Sequence, residues 1–227
     1  MQLKLEKSPG TRVILLRHGE STFNALGLYQ GSSDASVLTE VGRRDARITG
    51  NFLKGIAFDA VYISSLQRAQ ETAKEILEVI SIVPEAVVIT DKLRENDLPN
   101  WEGLAFQYVR ETFPEAYQLW KQRPHEFWML IDNKTRFYPA LNLFERAEKF
   151  WWEVLPPNMG KTLLVIAHGG TNRALISTAL GISPEFYHCF CQSNCGISIL
   201  KFPDGSLASG QLEVMNLNHH INFLIEA

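Results

Sequence analysis

The sequence predicts an α/β fold of three layers, with helices on both faces of a mostly parallel central sheet. Short apolar runs typical of buried strands alternate along the chain with segments whose apolar residues recur at helical spacing. The 227 residues are 45% hydrophobic, which is enough to bury a sizeable core. Neither internal repeats nor a Gly/Ser-rich linker divide the sequence. We therefore expect one domain over residues 1–227.

The first half of the chain alternates strands and helices. A continuous apolar run stops abruptly at Arg17, as a buried strand does. Thr39 and Gly55 are typical N-cap and C′ residues of the helix between them, and Val41 begins its apolar stripe. Ser64 is expected to open the next helix, which carries its apolar residues on one face. The predicted elements are strand 13–16, helix 39–54, strand 58–63, helix 64–80 and strand 86–90.

The second half repeats the alternation. Pro139 suits the first turn of a helix, whose apolar stripe runs from Leu141 to Val154. The clearest buried strand follows, and the helix after it is closed by Gly181. The predicted elements are helix 139–154, strand 161–167, a helix that ends at residue 180, and strands 197–202 and 211–217.

Composition and charge exclude several classes of function. The formal net charge of −3 argues against a protein whose whole surface binds nucleic acid. The apolar runs are too short to span a bilayer, and the first ten residues lack the apolar region of a secretory signal. Three cysteines, an odd number, are typical of a reducing compartment. We expect a cytoplasmic protein (or one of the plastid stroma in a plant) with neither a nucleic-acid nor a membrane partner.

Chemically useful side chains follow the ends of three predicted strands. Arg17 and His18 follow the first, residues 64–68 the second, and His168 the strand at 161–167. In open α/β sheets ligands bind outside the carboxyl ends of strands, so these distant residues should converge. Arginine forks suit phosphate oxygens, and an imidazole kept neutral by neighbouring arginines is a nucleophile. With a carboxyl such as Glu95 protonating the leaving oxygen, the set predicts phosphoryl transfer without a metal.

The same residues form a pattern that resembles the histidine phosphatase superfamily, whose fold is phosphoglycerate mutase-like. The ordered motifs are Leu16-Arg17-His18-Gly19-Glu20-Ser21 with Asn24 and Gln30-Gly31, Leu38-Thr39 with Gly42, Ser64-Ser65-Leu66-Gln67-Arg68-Ala69, Leu93-Arg94-Glu95, Trp101-Glu102-Gly103 and His168-Gly169. This resemblance implies that His18 is the phosphorylated nucleophile and Glu95 the proton donor. It implies that the phosphate pocket and its substrate contacts comprise Arg17, Arg68 and His168, with Asn24, Gln30 and Gly169. It implies no cofactor and no metal.

Positions outside these motifs resemble the plant 2-carboxy-D-arabinitol 1-phosphate phosphatases within the superfamily. They include Asn172-Arg173-Ala174-Leu175 and Gln192-Ser193-Asn194-Cys195-Gly196. The likeness implies a small phosphorylated metabolite, a sugar or sugar acid, as the substrate. The segment of about 96–138 is expected to form a helical cap, in which Arg136 is the candidate for binding a second anionic group.

Several alternatives remain open. A phosphoglycerate mutase or a broad-specificity metabolite phosphatase would share the motifs, and a catalytically silent binding protein would share the fold. Monomer and homodimer are both open as the oligomeric state. Glu20 and Glu102 are rivals of Glu95 as proton donor. The cysteines near His188 are interpreted as small packed residues rather than metal ligands, namely Cys189, Cys191 and Cys195.

Overall fold

The computed structural model describes residues 2–4, 9–132 and 134–222. Within these segments the strands are β1 (Thr11–Arg17), β2 (Ala60–Ser64), β3 (Val87–Thr90), β4 (Met129–Ile131), β5 (Thr135–Phe137), β6 (Thr162–Ala167), β7 (Ile197–Phe202) and β8 (Gln211–Leu217). Six of them form one sheet in the order β3-β2-β6-β1-β7-β8, and β4 pairs with β5 as a separate hairpin. The first four strands in that order are parallel, while β7 and β8 each run antiparallel to the strand before them. The predicted mostly parallel sheet is confirmed.

Helices pack on both faces of this sheet. The helices are α1 (Thr22–Ala25), α2 (Glu40–Leu53), α3 (Gln67–Leu77), α4 (Phe106–Thr112), α5 (Pro114–Gln122), α6 (Pro139–Val154), α7 (Gly169–Ala179) and α8 (His219–Asn222). Because successive side chains of a strand point to opposite faces, Ile14 and Leu16 pack with α2 and α3. Val13 and Leu15 pack on the other side with α6 and α7. The three-layer prediction is therefore confirmed.

The central position of β1 decides where the polar strand ends meet. β1 lies between β6 and β7, and its apolar run is fully buried. In the parallel register Arg17 lies beside Ala167 of β6, and Ile63 of β2 lies beside Ile166. The carboxyl ends of β1, β2 and β6 therefore share one edge of the sheet.

The first apolar residue of two predicted helix faces is not buried, so the prediction was wrong at those two positions. Val41 is 43% exposed and Leu141 is 41% exposed. In α2 the sheet is contacted instead by Ala46, Phe52 and Leu53. The buried residues Gly42, Ala46, Thr49, Gly50 and Leu53 recur at helical spacing and define the inner face, so Val41 lies outside it.

The expected start of the third helix was also wrong. Ser64 is the last residue of β2, and α3 begins only at Gln67, with Leu66 at the N-cap and no side-chain cap bond. The hydroxyl of Ser64 is taken up by His168, which it meets at the sheet edge. A serine at the end of an apolar strand can thus bind a site residue with its hydroxyl instead of capping the next helix.

The segment of residues 96–138 contains α4, α5 and the β4–β5 hairpin. Trp120, Phe127 and Met129 anchor the segment, because all three are buried within the core on the α6–α7 side of the sheet. Its action as a cap, and the single-domain organisation of residues 1–227, stay predictions. Among the described residues there is no helix with the length and apolar character needed to cross a membrane.

Candidate active site

The polar residues that follow β1, β2 and β6 meet as the sequence predicts. The backbone N–H of His18 donates to the carbonyl of Ala167 over 2.9 Å, which ties the end of β1 to the end of β6. The rings of His18 and His168 lie with their centroids 5.1 Å apart. Residues separated by 150 positions in the chain are thereby brought into direct contact.

His18 is held as a neutral imidazole with one free nitrogen. Its side chain is buried, and Nδ1 lies 2.7 Å from the carbonyl oxygen of Gly19. A carbonyl can only accept, so Nδ1 carries the proton and Nε2 keeps its lone pair. Burial and the positive charges of Arg68 and Arg17 hold the pKa of His18 well below its ordinary value. The ring is therefore neutral at physiological pH.

Arg17 and Arg68 each present an unused donor at this site. Arg68 Nη1 and Nη2 donate to the carbonyls of Ser33 and Gly31 over 2.8 and 2.9 Å, and Arg17 Nη1 donates to that of Gln192 over 2.6 Å. Burial lowers the pKa of Arg17 to about 10, so the group stays charged. The Nε–H groups of both arginines are buried without a partner among the described residues. Buried donors of this kind are rare without a ligand, and an oxyanion would satisfy them.

His168 completes this buried group. Its Nε2 lies 2.7 Å from the hydroxyl of Ser64, while its Nδ1 is buried with no partner in the described part of the chain. Burial and the charge of Arg68 hold its pKa well below the ordinary value. Ser64 was expected at this edge only as part of the segment 64–68, and no role was assigned to it. The signal that could have found it is its position at the end of a strand beside the strand that leads to His168.

Glu95 sits at the N-terminus of α7, the helix that begins directly after His168. Its carboxylate accepts from the backbone N–H groups of Gly170, Thr171 and Asn96 over 2.9, 3.1 and 2.8 Å. The rival carboxyls are engaged elsewhere, since Glu20 accepts from Thr39 and Glu102 from the backbone of Ser32.

A cavity of about 590 Å³ opens over this edge of the sheet. Five of the predicted site residues line it, namely Arg17, Asn24, Gln30, Glu95 and Gly169. His18, Arg68 and His168 are almost completely buried and are not part of its wall. Tyr29, Trp120 and Tyr187 add aromatic surface. A cavity of this size is typical of small-molecule sites, and about half of the residues that line it are polar or charged.

Arg136 is not brought to this cavity. It lies exposed on the β4–β5 hairpin, with its guanidinium 4.4 Å above the ring of Trp128. The cations that do line the cavity away from the histidines are Lys121 of α5 and Arg173 of α7. Sequence reasoning did not assign either to the site, although Arg173 follows His168 by little more than one helical turn.

The comparison with known families rests on nearly the whole chain. The sequence model of the histidine phosphatase superfamily (branch 1) matches residues 13–216. The chain belongs to this superfamily. The resemblance inferred from the motifs is thereby confirmed.

Members of the histidine phosphatase superfamily that are named for different activities are similar to this chain. A 2-carboxy-D-arabinitol-1-phosphatase of Triticum aestivum is 40% identical over 192 residues, which cover 84% of this chain but only 37% of that protein. A 2,3-bisphosphoglycerate-dependent phosphoglycerate mutase of Bartonella bacilliformis is 32% identical, with 76% of this chain and 83% of the mutase covered. A solved phosphoserine phosphatase of Entamoeba histolytica in complex with 3-phosphoglyceric acid superimposes with a TM-score of 0.77 at 25% identity, covering 93% and 99% of the two chains.

The cysteines of this superfamily member are all free thiols. Cys189 and Cys191 are exposed, whereas Cys195 is buried, and burial raises its pKa to about 12. No three His, Cys, Asp or Glu side chains of the described segments come together in a way that could hold a metal ion. His188 instead lies with Nε2 2.9 Å from the carbonyl of Trp120.

Proposed function

We propose that this chain is a phosphomonoester hydrolase that works through a phosphohistidine intermediate at His18. The observation that carries the proposal is a neutral, buried imidazole beside two arginines whose Nε–H groups have no partner among the described residues. A phosphoryl group bound there would accept those donors while Nε2 of His18 faces phosphorus. Membership of the histidine phosphatase superfamily supports the same chemistry.

The proposed reaction has two steps. Nε2 of His18 attacks phosphorus, the bond from phosphorus to the ester oxygen breaks, and a protonated Glu95 gives its proton to the leaving oxygen. Water then attacks phosphorus, Glu95 takes back a proton, and the phosphorus–nitrogen bond breaks to release phosphate. Arg17 and Arg68 stabilise the charge on the transferred oxygens, which is usually the largest contribution in such reactions.

We propose a small phosphorylated sugar or sugar acid as the substrate. Lys121 and Arg173 both line the cavity, and neither forms an ion pair in the described part of the chain. Two cations without an acidic partner inside a cavity favour a second anionic group on the substrate. The wheat and Entamoeba proteins are also named for phosphatase activity on phosphorylated acids.

Trapping of the intermediate tests the reaction. Brief incubation with ³²P-labelled substrate should leave label on the protein that is lost in acid and is stable in base. His18→Ala should abolish both the label and turnover, whereas Arg136→Gln, an exposed cation outside the cavity, should change neither. Label and near-normal turnover in His18→Ala would overturn the proposal.

A matched substrate pair tests the second anionic group. The kcat/KM for 3-phosphoglycerate should exceed that for glycerol 3-phosphate, which differs by one carboxylate, by about tenfold or more. Lys121→Gln should reduce this ratio, Lys121→Arg should restore it, and Arg136→Gln should leave it unchanged. An equal rate for both substrates in the unaltered protein contradicts the assignment.

The rate of isomerisation separates hydrolase from mutase. We expect phosphate release from 3-phosphoglycerate to outrun formation of 2-phosphoglycerate in the same reaction. The opposite order would favour the mutase, the activity for which the Bartonella relative is named.

Localisation and assembly stay predictions. The three free thiols favour a reducing compartment such as the cytoplasm or the plastid stroma. Assembly as a homodimer is likewise a prediction.

A further inference from the structure

The loop that leads into β7, residues 192–196, wraps the end of β1. The carbonyl of Gln192 accepts from Arg17 Nη1, and the carbonyl of Gly196 accepts from the Arg17 backbone N–H over 3.2 Å. The backbone N–H of Cys195 donates to the carbonyls of Arg17 and His18 over 3.1 and 3.3 Å. This loop therefore holds the strand end that carries the nucleophile from several directions.

The loop is itself held in an unusual backbone conformation. Cys195 has a φ of +53°, and Asn216 of the neighbouring strand β8 has a φ of +49°. Non-glycine residues rarely adopt this left-handed region, and such strain persists only where the surroundings fix it. Asn216 Oδ1 accepts from the backbone N–H of Ser193 over 2.7 Å, which supplies part of that support.

Asn194 is the side chain that this conformation presents to the site. It lines the cavity, and its Nδ2 lies 3.0 Å from the carbonyl of His18 and 3.1 Å from that of Gly19. The Gly19 carbonyl is the same group that accepts from Nδ1 of His18 and so fixes the ring's tautomer. The amide of Asn194 thus acts on the group that orients the imidazole.

Asn194 also fixes the orientation of Asn24. Its Nδ2 donates to Asn24 Oδ1 over 3.0 Å, and Ser21 donates to the same oxygen from its backbone N–H over 3.3 Å and its hydroxyl over 3.0 Å. With its oxygen turned toward three donors, Asn24 has only its NH₂ group left to face the cavity that it lines. A donor in that place suits a phosphoryl oxygen.

We propose that Asn194 is a positioning residue, which sets both the His18 ring and the donor amide of Asn24 without touching the reacting atoms. The inference rests on the proposed hydrolase function. Removal of a group that orients a reacting side chain commonly lowers the reaction rate by about 10- to 100-fold.

Two variants test the role. Asn194→Ala removes the amide, and Asn194→Asp keeps the volume but has no N–H to donate. Each should lower kcat/KM for an aryl phosphate by about tenfold or more at an unchanged melting temperature. Asn218→Ala removes an amide that donates to Ser193 on the far side of the same loop, and it should leave the rate within about twofold.

Two further readouts distinguish positioning from general support. If Asn194 acts through Asn24, the combined variant Asn24→Ala/Asn194→Ala should lose less than the product of the two single losses. ¹⁵N NMR of labelled histidine, which needs no turnover, should show Nδ1–H as the main tautomer of His18 and a changed ring signal in Asn194→Ala. Independent losses with an unchanged ring signal overturn the inference. A wild-type protein that turns over no phosphate ester contradicts the proposed function instead, while the NMR comparison still decides the role of Asn194.

Discussion

Gly170 shows how much one methyl group would change in this site. A Cβ atom there would collide with an oxygen of Glu95 and with the hydroxyl of Tyr187, and the Gly170 N–H is one of the donors that hold Glu95. We expect Gly170→Ala to displace the carboxylate and lower kcat by about tenfold or more, measured on an aryl phosphate.

The neighbouring glycine supplies the comparison. A Cβ atom on Gly169 would meet Arg17 Nε no closer than 3.5 Å, which is an ordinary contact. Gly169→Ala should therefore cost less activity than Gly170→Ala. If both variants lose activity equally, crowding against Glu95 is not the cause.

The residue types of the site could be predicted because they stand at strand ends, where topology brings them together. Arg136 could not be placed in this way, since its position depends on the direction in which the β4–β5 hairpin leaves the core. That direction is decided by buried Phe127 and Met129, and it leaves Arg136 stacked on Trp128 away from the cavity. Lys121 and Arg173 enter the site through two helices whose faces the sequence pattern does not distinguish.

At the scale of one element, Thr39 fixes the start of α2. Its Oγ1 accepts from the Gly42 N–H over 3.0 Å, as an N-cap does, and its hydroxyl donates to Glu20 over 2.8 Å. Thr39→Ala should lower the free energy of unfolding by about 0.5–2 kcal/mol, and Thr39→Ser should retain most of it. Urea unfolding of the three proteins measures the difference. A loss of the same size in Thr39→Ser would show that the methyl group, rather than the hydroxyl, matters.

Elements with their own capping chemistry were therefore predicted well. The N-cap at Thr39 and the left-handed glycines at Gly55 and Gly181 appear where the sequence places them, with φ of +98° and +66° at the two glycines. The predicted start of α3 was wrong because the N-cap residue, Leu66, makes no side-chain hydrogen bond, so no residue type in the sequence marks the start. The short helices α4 and α5 likewise depend on burial of Trp120 more than on local propensity.

At the scale of the whole molecule, four histidines are held neutral by the fold. Burial is the main cause in each case. It holds the pKa of His18 and His168 well below the ordinary value and lowers that of His188 and His220 to about 4. In the unfolded chain the same rings regain a pKa near their ordinary value of about 6.5. The unfolded state therefore binds more protons than the folded state once the pH falls below that value.

This difference predicts a protein that loses stability in mild acid. Because unfolding takes up protons, the free energy of unfolding should fall as the pH drops from about 6.5 toward 5, by about 1.4 kcal/mol per pH unit for each of the fully buried His18 and His168. Urea unfolding at several pH values measures the slope. His18→Gln should make the slope shallower by up to one proton. A stability that stays constant across this range would mean that these rings are charged in the folded state, which would also remove the neutral nucleophile that the proposed reaction needs.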